Sequence, residues 1–365
     1  MPNPLKLMMG TAGVSSAGYY LFNNGKNNAL GAASLSSPVI VGDEKKWTDI
    51  GCGAFAAAAI TSAGNLFTWG PNTGGSLGDG TVVGKTSPVL IGSLTNWLYM
   101  DQSSGVAAVK SDASIWNWGF NERGRLGDET IIDRSSPVQA GSDLVWTQVS
   151  GYSSAQAVTL GIRTDGSLWS WGGNGEGSLG QGDRINRSSP TQVGALTTWA
   201  SISSAGSRSW AIKTDGSLWA WGRGSQGNLG HGNVIDYSSP VQVGALTNWS
   251  KVSGEYWSCV AVKTDGTLWA WGNNGDGTLG QGDVVSTSSP VQVGSGTDWS
   301  SVSQHKGVWA IKTDGSLWAW GSNGDGQLGL GDRIKRSSPV QVGSDTDWIK
   351  VAMGNGRAVA LKGTP

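Results

Sequence analysis

The chain has 365 residues, a formal net charge of −1 and only 14% charged residues. This balance argues against the large basic surface that binding to nucleic acid requires. Its two cysteines, Cys52 and Cys259, have no CxxC partner, which excludes a disulfide framework, and no apolar run is long enough to span a bilayer.

The N-terminal segment, residues 1–10, has one lysine and lacks the apolar core of about seven residues that a secretory signal needs. We therefore expect a cytoplasmic protein, or a virion protein if a phage encodes it. Two short strands are predicted next, at Gly18–Phe22 and Ser37–Gly42. Phe22 stands where six later repeats have a Trp-Gly step, so the chain is predicted to begin in the middle of a repeat.

Tryptophan recurs about every 50 residues from this point to the C-terminus, and such a period indicates an array of one supersecondary unit. The clearest series has spacings of 50, 49, 53, 50, 50 and 49 residues: Trp47, Trp97, Trp146, Trp199, Trp249, Trp299 and Trp348. Because each indole can remove about 150–250 Å² from water, we interpret the series as packing between sheets rather than as a binding surface.

The repeat at 249–298 shows the pattern of one unit, which contains four predicted strands. Asp265-Gly266 is a strong hairpin signal, because both central positions of a type I′ turn need a positive φ. Pro290 begins the last strand and suits a sheet edge, where no N–H is needed. The strands are Trp249–Ser253, Val260–Lys263, Thr267–Gly272 and Ser288–Gly294.

The last segment, Trp348–Lys362, supplies only the first two strands of a repeat. Short antiparallel strands without a helical segment are typical of propeller blades. We predict an all-β, seven-bladed β-propeller with four antiparallel strands per blade, forming one domain over 1–365. Strands from both termini are predicted to share one blade, made of 1–46 and 347–365, and thereby to close the ring.

The segments 211–222 and 310–321, both Ala-Ile-Lys-Thr-Asp-Gly-Ser-Leu-Trp-Ala-Trp-Gly, are followed by Gly-x-Leu-Gly and Ser-Ser-Pro-Val-Gln-Val-Gly. This pattern resembles the regulator of chromosome condensation repeat, in its bacterial and phage branch. The resemblance implies a seven-bladed propeller that binds a macromolecule on one face of the ring. Family members include a guanine-nucleotide exchange factor, a β-lactamase inhibitor and large bacterial and phage propellers, so fold does not select the function. The exchange factors insert a wedge, whereas the largest excess here is about three residues near Ser154-Ala155-Gln156.

Three motifs suggest chemistry but have simpler interpretations. Gly175–Gly180 fits GxGxxG, as do 275–280 and 324–329, but no helix follows, so we predict turns. Gly74–Gly78 fits the GxSxG nucleophile elbow, yet its serine position varies between repeats as an exposed loop position would. Asn274 to Gly277 resembles an acidic calcium loop with too few carboxylates, so Asx turns are favoured and calcium stays open. We predict no catalytic residue, no cofactor and no metal ligand.

Positions that depart from the repeat consensus are the candidate interface. Trp210 and Trp309 occupy equivalent places in second strands and are predicted to be core residues. Trp257 follows Tyr256 in the loop between the first two strands, and adjacent aromatic residues on a loop are a plausible anchor for a partner. Partial burial under a neighbouring loop is the alternative. Equivalent loops contribute Arg208, His305 and Lys306.

The segment before Ser-Ser-Pro is a second variable zone. We predict that its aliphatic residue is tucked in and that its polar residues line the rim, where solvated charge is the alternative. The candidates are Arg134, Arg184, Arg187, Tyr237, Arg333 and Arg336.

The sequence thus predicts a non-enzymatic, rigid module for binding or assembly, with a protein partner on one face and neither nucleic acid nor membrane as partner. A phage virion component of the tail, fibre or capsid, in contact with other virion proteins, is the favoured setting. A bacterial protein that binds and inhibits an enzyme is the alternative, and a guanine-nucleotide exchange factor is the third.

Overall fold

A computed structural model describes residues 20–25, 35–40, 46–53, 56–102, 105–142, 145–151 and 158–363. The sequence has the features of short antiparallel strands throughout, and the structure contains only strands, turns and three single-turn 3₁₀ segments over these residues. The 3₁₀ segments are Thr73–Gly75, Glu122–Gly124 and Ser225–Gly227. The excess near Ser154-Ala155-Gln156 lies outside the described residues.

The first strands in chain order are β1 (Tyr20–Gly25) and β2 (Leu35–Ile40). Six blades of four consecutive antiparallel strands follow. Blade one contains β3 (Trp47–Cys52), β4 (Ala57–Thr61), β5 (Leu66–Gly70) and β6 (Lys85–Leu90). Blade two contains β7 (Trp97–Gln102), β8 (Gly105–Lys110), β9 (Ile115–Gly119) and β10 (Arg134–Gln139). Blade three contains β11 (Trp146–Gly151), β12 (Val158–Arg163), β13 (Leu168–Gly172) and β14 (Arg187–Gln192).

The remaining three blades repeat this arrangement. Blade four contains β15 (Trp199–Ala205), β16 (Arg208–Lys213), β17 (Leu218–Gly222) and β18 (Tyr237–Gln242). Blade five contains β19 (Trp249–Gly254), β20 (Ser258–Lys263), β21 (Leu268–Gly272) and β22 (Thr287–Gln292). Blade six contains β23 (Trp299–Gln304), β24 (Gly307–Lys312), β25 (Leu317–Gly321) and β26 (Arg336–Gln341). The predicted all-β propeller with four antiparallel strands per blade is confirmed.

The sheet that contains strands from both ends of the chain corrects the predicted closure. β27 (Trp348–Gly354) and β28 (Arg357–Lys362) lie in one sheet with β1 and β2, in the order β2–β1–β28–β27. Its main contacts with neighbouring blades are made by β27 and β28, which pack on β3 on one side and on β23 and β24 on the other. Throughout the propeller, neighbouring blades meet mainly through their first and second strands.

The prediction of seven blades with a ring closed by shared strands is therefore replaced. The structure has six blades of consecutive strands, and a composite sheet in which the C-terminal strands alone make the main contacts with blades six and one. The physical reason is the position of the strands: β1 and β2 occupy the third and fourth places of the sheet, away from the inner strands through which blades meet.

Tryptophan fills the space between blades, as predicted. The indoles that end the third strands are buried in all six blades: Trp69, Trp118, Trp171, Trp221, Trp271 and Trp320. In blades two, three, five and six the tryptophan that begins the first strand meets this indole edge to face, with the ring centres of Trp249 and Trp271 6.0 Å apart. Trp210 and Trp309 are both fully buried, which confirms their assignment to the core.

The Asp265-Gly266 turn also orders the residues that follow it in the repeat. Asp265 accepts hydrogen bonds from the backbone N–H and the hydroxyl of Thr267, which lower the pKa of this carboxyl. The Thr267 hydroxyl in turn accepts a hydrogen bond from the indole of Trp269, and the Lys263 ammonium lies 3.7 Å from the centre of that ring. One short segment thus fixes its turn, its tryptophan and a cation–π contact together.

Candidate protein-binding face

Antiparallel pairing brings the candidate residues to one end of the propeller. Arg208, at the start of β16, pairs with Gly222 at the end of β17, and Gly222 pairs with Tyr237 at the start of β18. This end carries the loops between first and second strands and the long loops between third and fourth strands. We call it the loop face. All eleven predicted interface residues belong to these loops or to the strand ends beside them.

The loop of blade five exposes Trp257, the one tryptophan of the candidate set. The side chain of Trp257 is 47% exposed and meets the ring of Tyr256 edge to face, with the ring centres 5.0 Å apart. The Arg208 guanidinium lies 4.7 Å from the centre of the Tyr256 ring. Trp257 is therefore available to a partner, while its contact role stays a prediction.

A buried carboxyl holds this loop. Glu255 is 3% exposed and accepts a hydrogen bond from the backbone N–H of Trp257, 2.9 Å away. Burial raises the pKa of Glu255 to about 7. His305 of the next blade lies 3.6 Å from the same carboxyl and accepts a hydrogen bond from the backbone N–H of Lys306. Burial lowers the pKa of His305 to about 3, so this imidazole is neutral at physiological pH.

We call the loops between first and second strands the inner loops. Burial divides the candidate residues in and beside them into two groups. Arg208 is 0% exposed and His305 is 7% exposed, so both lie beneath the surface and support the loops above them. Burial also lowers the pKa of Arg208, to about 10. Trp257 and Lys306 are exposed and can contact a partner directly.

One supporting residue was missed by sequence reasoning. The side chain of Asn228 donates a hydrogen bond to the Tyr256 carbonyl across the blade boundary, at 3.2 Å. Its position is equivalent to the serine of the GxSxG segment, which we expected to be exposed. All six equivalent side chains are buried: Ser76, Arg125, Ser178, Asn228, Thr278 and Gln327. The expectation was wrong because this position packs under the inner loop of the next blade, and variation there can follow the variation of that loop.

We call the long loops between third and fourth strands the outer loops. Most candidate residues in and beside them contact residues of the same loop. Arg134 and Arg187 form ion pairs at 2.7 and 2.8 Å with aspartates four to six residues earlier in their loops, Asp128 and Asp183, and Arg336 pairs in the same way with Asp332. Tyr237 replaces this cation in blade four, where its hydroxyl accepts a hydrogen bond from Asn233 at 3.0 Å.

The two remaining arginines of the set are more exposed. Arg184 lies 3.7 Å from Asp236 of the next blade and 4.0 Å from Glu176 of its own. Arg333 is exposed in the equivalent loop of blade six. These side chains can exchange their present contacts for contacts with a partner.

The aliphatic residues of the outer loops are exposed, so the prediction that they are tucked in was wrong. The reason lies in the backbone: the carbonyls of Ile132, Ile185 and Ile334 accept hydrogen bonds from the buried side chains of Asn121, Asn174 and Asn323. These bonds anchor the main chain inward and leave the side chains outside. We call the exposed set, each 55–70% exposed, the aliphatic crown: Val82, Val83, Ile131, Ile132, Ile185, Val234, Ile235, Val284, Val285 and Ile334.

The GxGxxG segments are turns, as predicted, and the other two motifs also have structural roles. Residues 175–180 form turns, and the next regular element is the strand β14. Ser76 is buried and donates a hydrogen bond to the Pro71 carbonyl at 3.3 Å. Asp283 accepts a hydrogen bond from the backbone N–H of Val285, which is the predicted Asx turn.

The described part of the chain contains no group of three or more His, Cys, Asp or Glu side chains placed to hold a metal ion. No helix in the same residues is long and apolar enough to cross a membrane.

Comparison with known proteins identifies the repeat. Four segments match the family model of the regulator of chromosome condensation (RCC1) repeat, at residues 165–212, 215–262, 265–305 and 314–361. The chain is 29% identical over 147 residues to the human E3 ubiquitin-protein ligase HERC2, which corresponds to 40% of this chain and 2% of that relative. It therefore spans only a small part of the relative's length.

Solved structures share the fold. Prp20p from Saccharomyces cerevisiae, described with its binding properties to Gsp1p and histones, superposes with a TM-score of 0.82 at 19% identity over 95% of this chain and 92% of that one. Human WBSCR16 gives a TM-score of 0.82 at 18% identity over 95% and 99% of the two chains. Yeast Prp20 in its complex with Kap60 gives 0.82 at 17% identity over 100% and 96%.

Proposed function

We propose that this chain, which belongs to the regulator of chromosome condensation repeat family, is a rigid, non-catalytic module that binds a protein partner through its loop face. The observation that carries the proposal is the aliphatic crown. Apolar side chains gathered at one end of a protein mark an interaction site more often than apolar residues scattered singly over its surface. Six successive blades contribute to the crown, so a partner can contact much of the ring at once.

Trp257 supplies the anchor that such an interface needs. Buried aromatic and arginine residues carry most of the binding energy in protein complexes, and surrounding contacts exclude water from them. Trp257 is exposed on a loop whose backbone is held by Glu255 and Asn228. The indole is therefore presented in a defined position, which lowers the ordering cost of binding.

The decisive experiment is a pull-down with the immobilised full chain and variants of the loop face. Trp257→Ala and the double variant Ile131→Ser/Ile132→Ser should each reduce recovery of the partner. Leu196→Ser is the matched control, because Leu196 is 49% exposed in the connection between blades three and four, at the opposite end of the propeller. Equal recovery by all four proteins, or loss with Leu196→Ser only, would contradict a loop-face interface.

A more specific proposal concerns where this interaction takes place and which kind of protein the partner is. From the sequence we propose a phage virion component, with inhibition of an enzyme as the alternative. Co-sedimentation with particles in fixed copy number supports the virion setting, whereas a soluble monomer never found with particles contradicts it. Recovery of one enzyme, with loss of its activity on binding, supports inhibition.

Exchange-factor activity is the second candidate, because Prp20p, whose binding to Gsp1p is described, has a similar fold over nearly the whole chain. The test is release of fluorescent GDP from purified Gsp1p in the presence of this chain. Acceleration that Trp257→Ala abolishes supports exchange at the loop face. No acceleration over the spontaneous rate contradicts it.

A further inference from the structure

The inner loop of blade five is a three-residue segment between β19 and β20, made of Glu255, Tyr256 and Trp257. Both peptide groups of Trp257 are held. Its N–H donates a hydrogen bond to the Glu255 carboxyl at 2.9 Å, and its carbonyl accepts one from the backbone N–H of Asn273 at 2.8 Å. Because only Tyr256 separates the carboxyl from the exposed indole, the position of Trp257 depends on whether the Glu255 side chain stays in its site.

One side of the Glu255 carboxyl faces a hydrogen-bond acceptor. Among the basic residues that the structure describes, only His305 lies at ion-pair distance from it, with Nδ1 3.6 Å from Oε1. This nitrogen already accepts a hydrogen bond from the Lys306 backbone N–H at 2.9 Å, so it has no proton to donate. A neutral carboxyl can direct its O–H towards Nδ1, whereas a carboxylate would place two acceptors against each other.

The charged groups around this pair lie farther away. Burial has the largest effect on Glu255, which is 3% exposed, and raises its pKa to about 7 against the opposing effects of the loop N–H groups, Arg208 of blade four and Lys306 of blade six. Burial also lowers the pKa of His305, and Lys306 and Arg357 of β28 add to this effect. The proton of Glu255 is therefore retained below about pH 7 and released above it.

We propose that the proton of Glu255 keeps the inner loop of blade five closed, so that the neutral carboxyl holds Trp257 where a partner contacts it and ionisation favours opening of the loop. An ionised Glu255 regains water only by leaving its site, and Tyr256 and Trp257 then move with it.

A partner that covers Trp257 would exclude water further from the carboxyl. Binding is then coupled to uptake of a proton and weakens as the pH rises above about 7. This consequence rests on the function proposed above, whereas closure of the loop is a property of the free chain.

The test on the free chain is hydrogen–deuterium exchange of the amides of residues 255–257 at pH 6 and pH 8, corrected for the intrinsic effect of pH on exchange. In the open loop the carboxyl is solvated and its pKa returns to its ordinary value of 4.5, whereas it is about 7 in the closed loop. The equilibrium constant for opening should therefore rise about tenfold from pH 6 to pH 8, and protection should fall by the same factor.

Two variants and one internal control make this result specific. Glu255→Gln keeps an acceptor for the Trp257 N–H but cannot ionise, so its protection should be equal at both pH values. Asp276→Asn removes an exposed carboxyl from the outer loop of the same blade and should show the wild-type fall. The amides of β21 should stay protected throughout, because only the loop opens.

Protection of the wild-type loop that does not change with pH overturns the proposal. An equal fall in wild type and Glu255→Gln also overturns it, as does an equal loss of protection in β21.

The link to binding is tested by the pull-down at the same two pH values. Wild type should recover less partner at pH 8 than at pH 6, and Glu255→Gln should recover equal amounts. Equal recovery by wild type at both pH values contradicts the link. Failure to recover any partner contradicts the proposed function instead, since loop opening is measured without a partner.

Discussion

The hydroxyl of Ser253 accepts a hydrogen bond from the backbone N–H of Gln304, 3.0 Å away, and so joins the inner strands of blades five and six. The same contact recurs around the ring. Ser150 accepts from Ser204, Ser203 from Gly254 and Ser303 from Met353, each at 3.0 Å, and the Asp101 carboxylate accepts from Gly151 at 3.2 Å. A belt of side-chain acceptors therefore links successive inner strands, which no strand ladder connects.

Ser253→Ala should lower the free energy of unfolding by about 1–2 kcal/mol, because the N–H of the mostly buried Gln304 loses its acceptor. Ser303→Ala should have a similar effect through Met353. Ser239→Ala is the control, since Ser239 is exposed, and should stay within about 0.5 kcal/mol. Urea unfolding measures all three. If these hydrogen bonds did not stabilise the protein, the three variants would have equal urea midpoints of unfolding.

Gly254→Ala should destabilise the protein by about 1–3 kcal/mol, the usual cost of overpacking. A methyl group at this position would overlap the indole of Trp210, which is fully buried against blade five. Gly324→Ala is the matched control, because its added methyl would meet nothing within 4 Å. Thermal unfolding of both variants tests the contact, and equal melting temperatures would show that Trp210 can move aside.

Glu255→Gln should stabilise the protein increasingly as pH rises from about 4.5 to about 7. The pKa of Glu255 is raised from 4.5 to about 7 in the folded protein, so the folded state retains a proton that the unfolded state has released. Wild-type stability therefore falls across this window, by up to about 3 kcal/mol, whereas the glutamine variant has no such loss. Glutamine can still accept the hydrogen bond from Trp257.

His305→Gln is the reciprocal experiment. The pKa of His305 is lowered from 6.5 to about 3, so the unfolded state gains a proton first as the pH falls, and wild-type stability decreases below about 6.5. This variant should gain relative stability as the solution becomes more acidic. Urea unfolding at a series of pH values measures both slopes. Differences from wild type that do not change with pH would contradict the assigned protonation states.

Both cysteines should react slowly with Ellman's reagent in the native protein. Cys52 and Cys259 are free and buried, and burial raises the pKa of Cys52 to about 12 and also raises that of Cys259. The reactive thiolate is therefore scarce and shielded. Two thiols should be released on unfolding in urea, and rapid reaction of either one without denaturant would contradict its placement.

The repeat determined most of what could be predicted about the fold. Strands, hairpins and the buried tryptophans follow from local patterns, because alternation, Asp-Gly turns and outer prolines act within a few residues of one another. Closure could not be derived in the same way. It depends on which strands face neighbouring blades, and this is a property of the assembled ring. The assignment of 1–365 to one domain and to the bacterial and phage branch stays a prediction.

The candidate site likewise has features that the sequence predicted and features that depend on the assembled ring. The sequence marked Trp257 as different because it departs from its own repeat, and the structure leaves this residue exposed, while its contact with a partner stays a prediction. The sequence led us to predict burial for the aliphatic crown, whose side chains are exposed. A hydrophobic residue in a loop is equally compatible with burial and exposure until the contacts that anchor its backbone are known.

By itself, the sequence determined the repeat, the strand order within each blade and the packing role of the tryptophans. Only the tertiary structure decided that Arg208 and His305 are buried, that Asn228 supports the Tyr256 loop and that Tyr237 lines a groove between blades four and five. These relations join residues of different blades or, for Tyr237, depend on how its own loop folds. Periodicity along the chain specifies each unit, but burial at a boundary depends on which side chains two particular neighbours bring together.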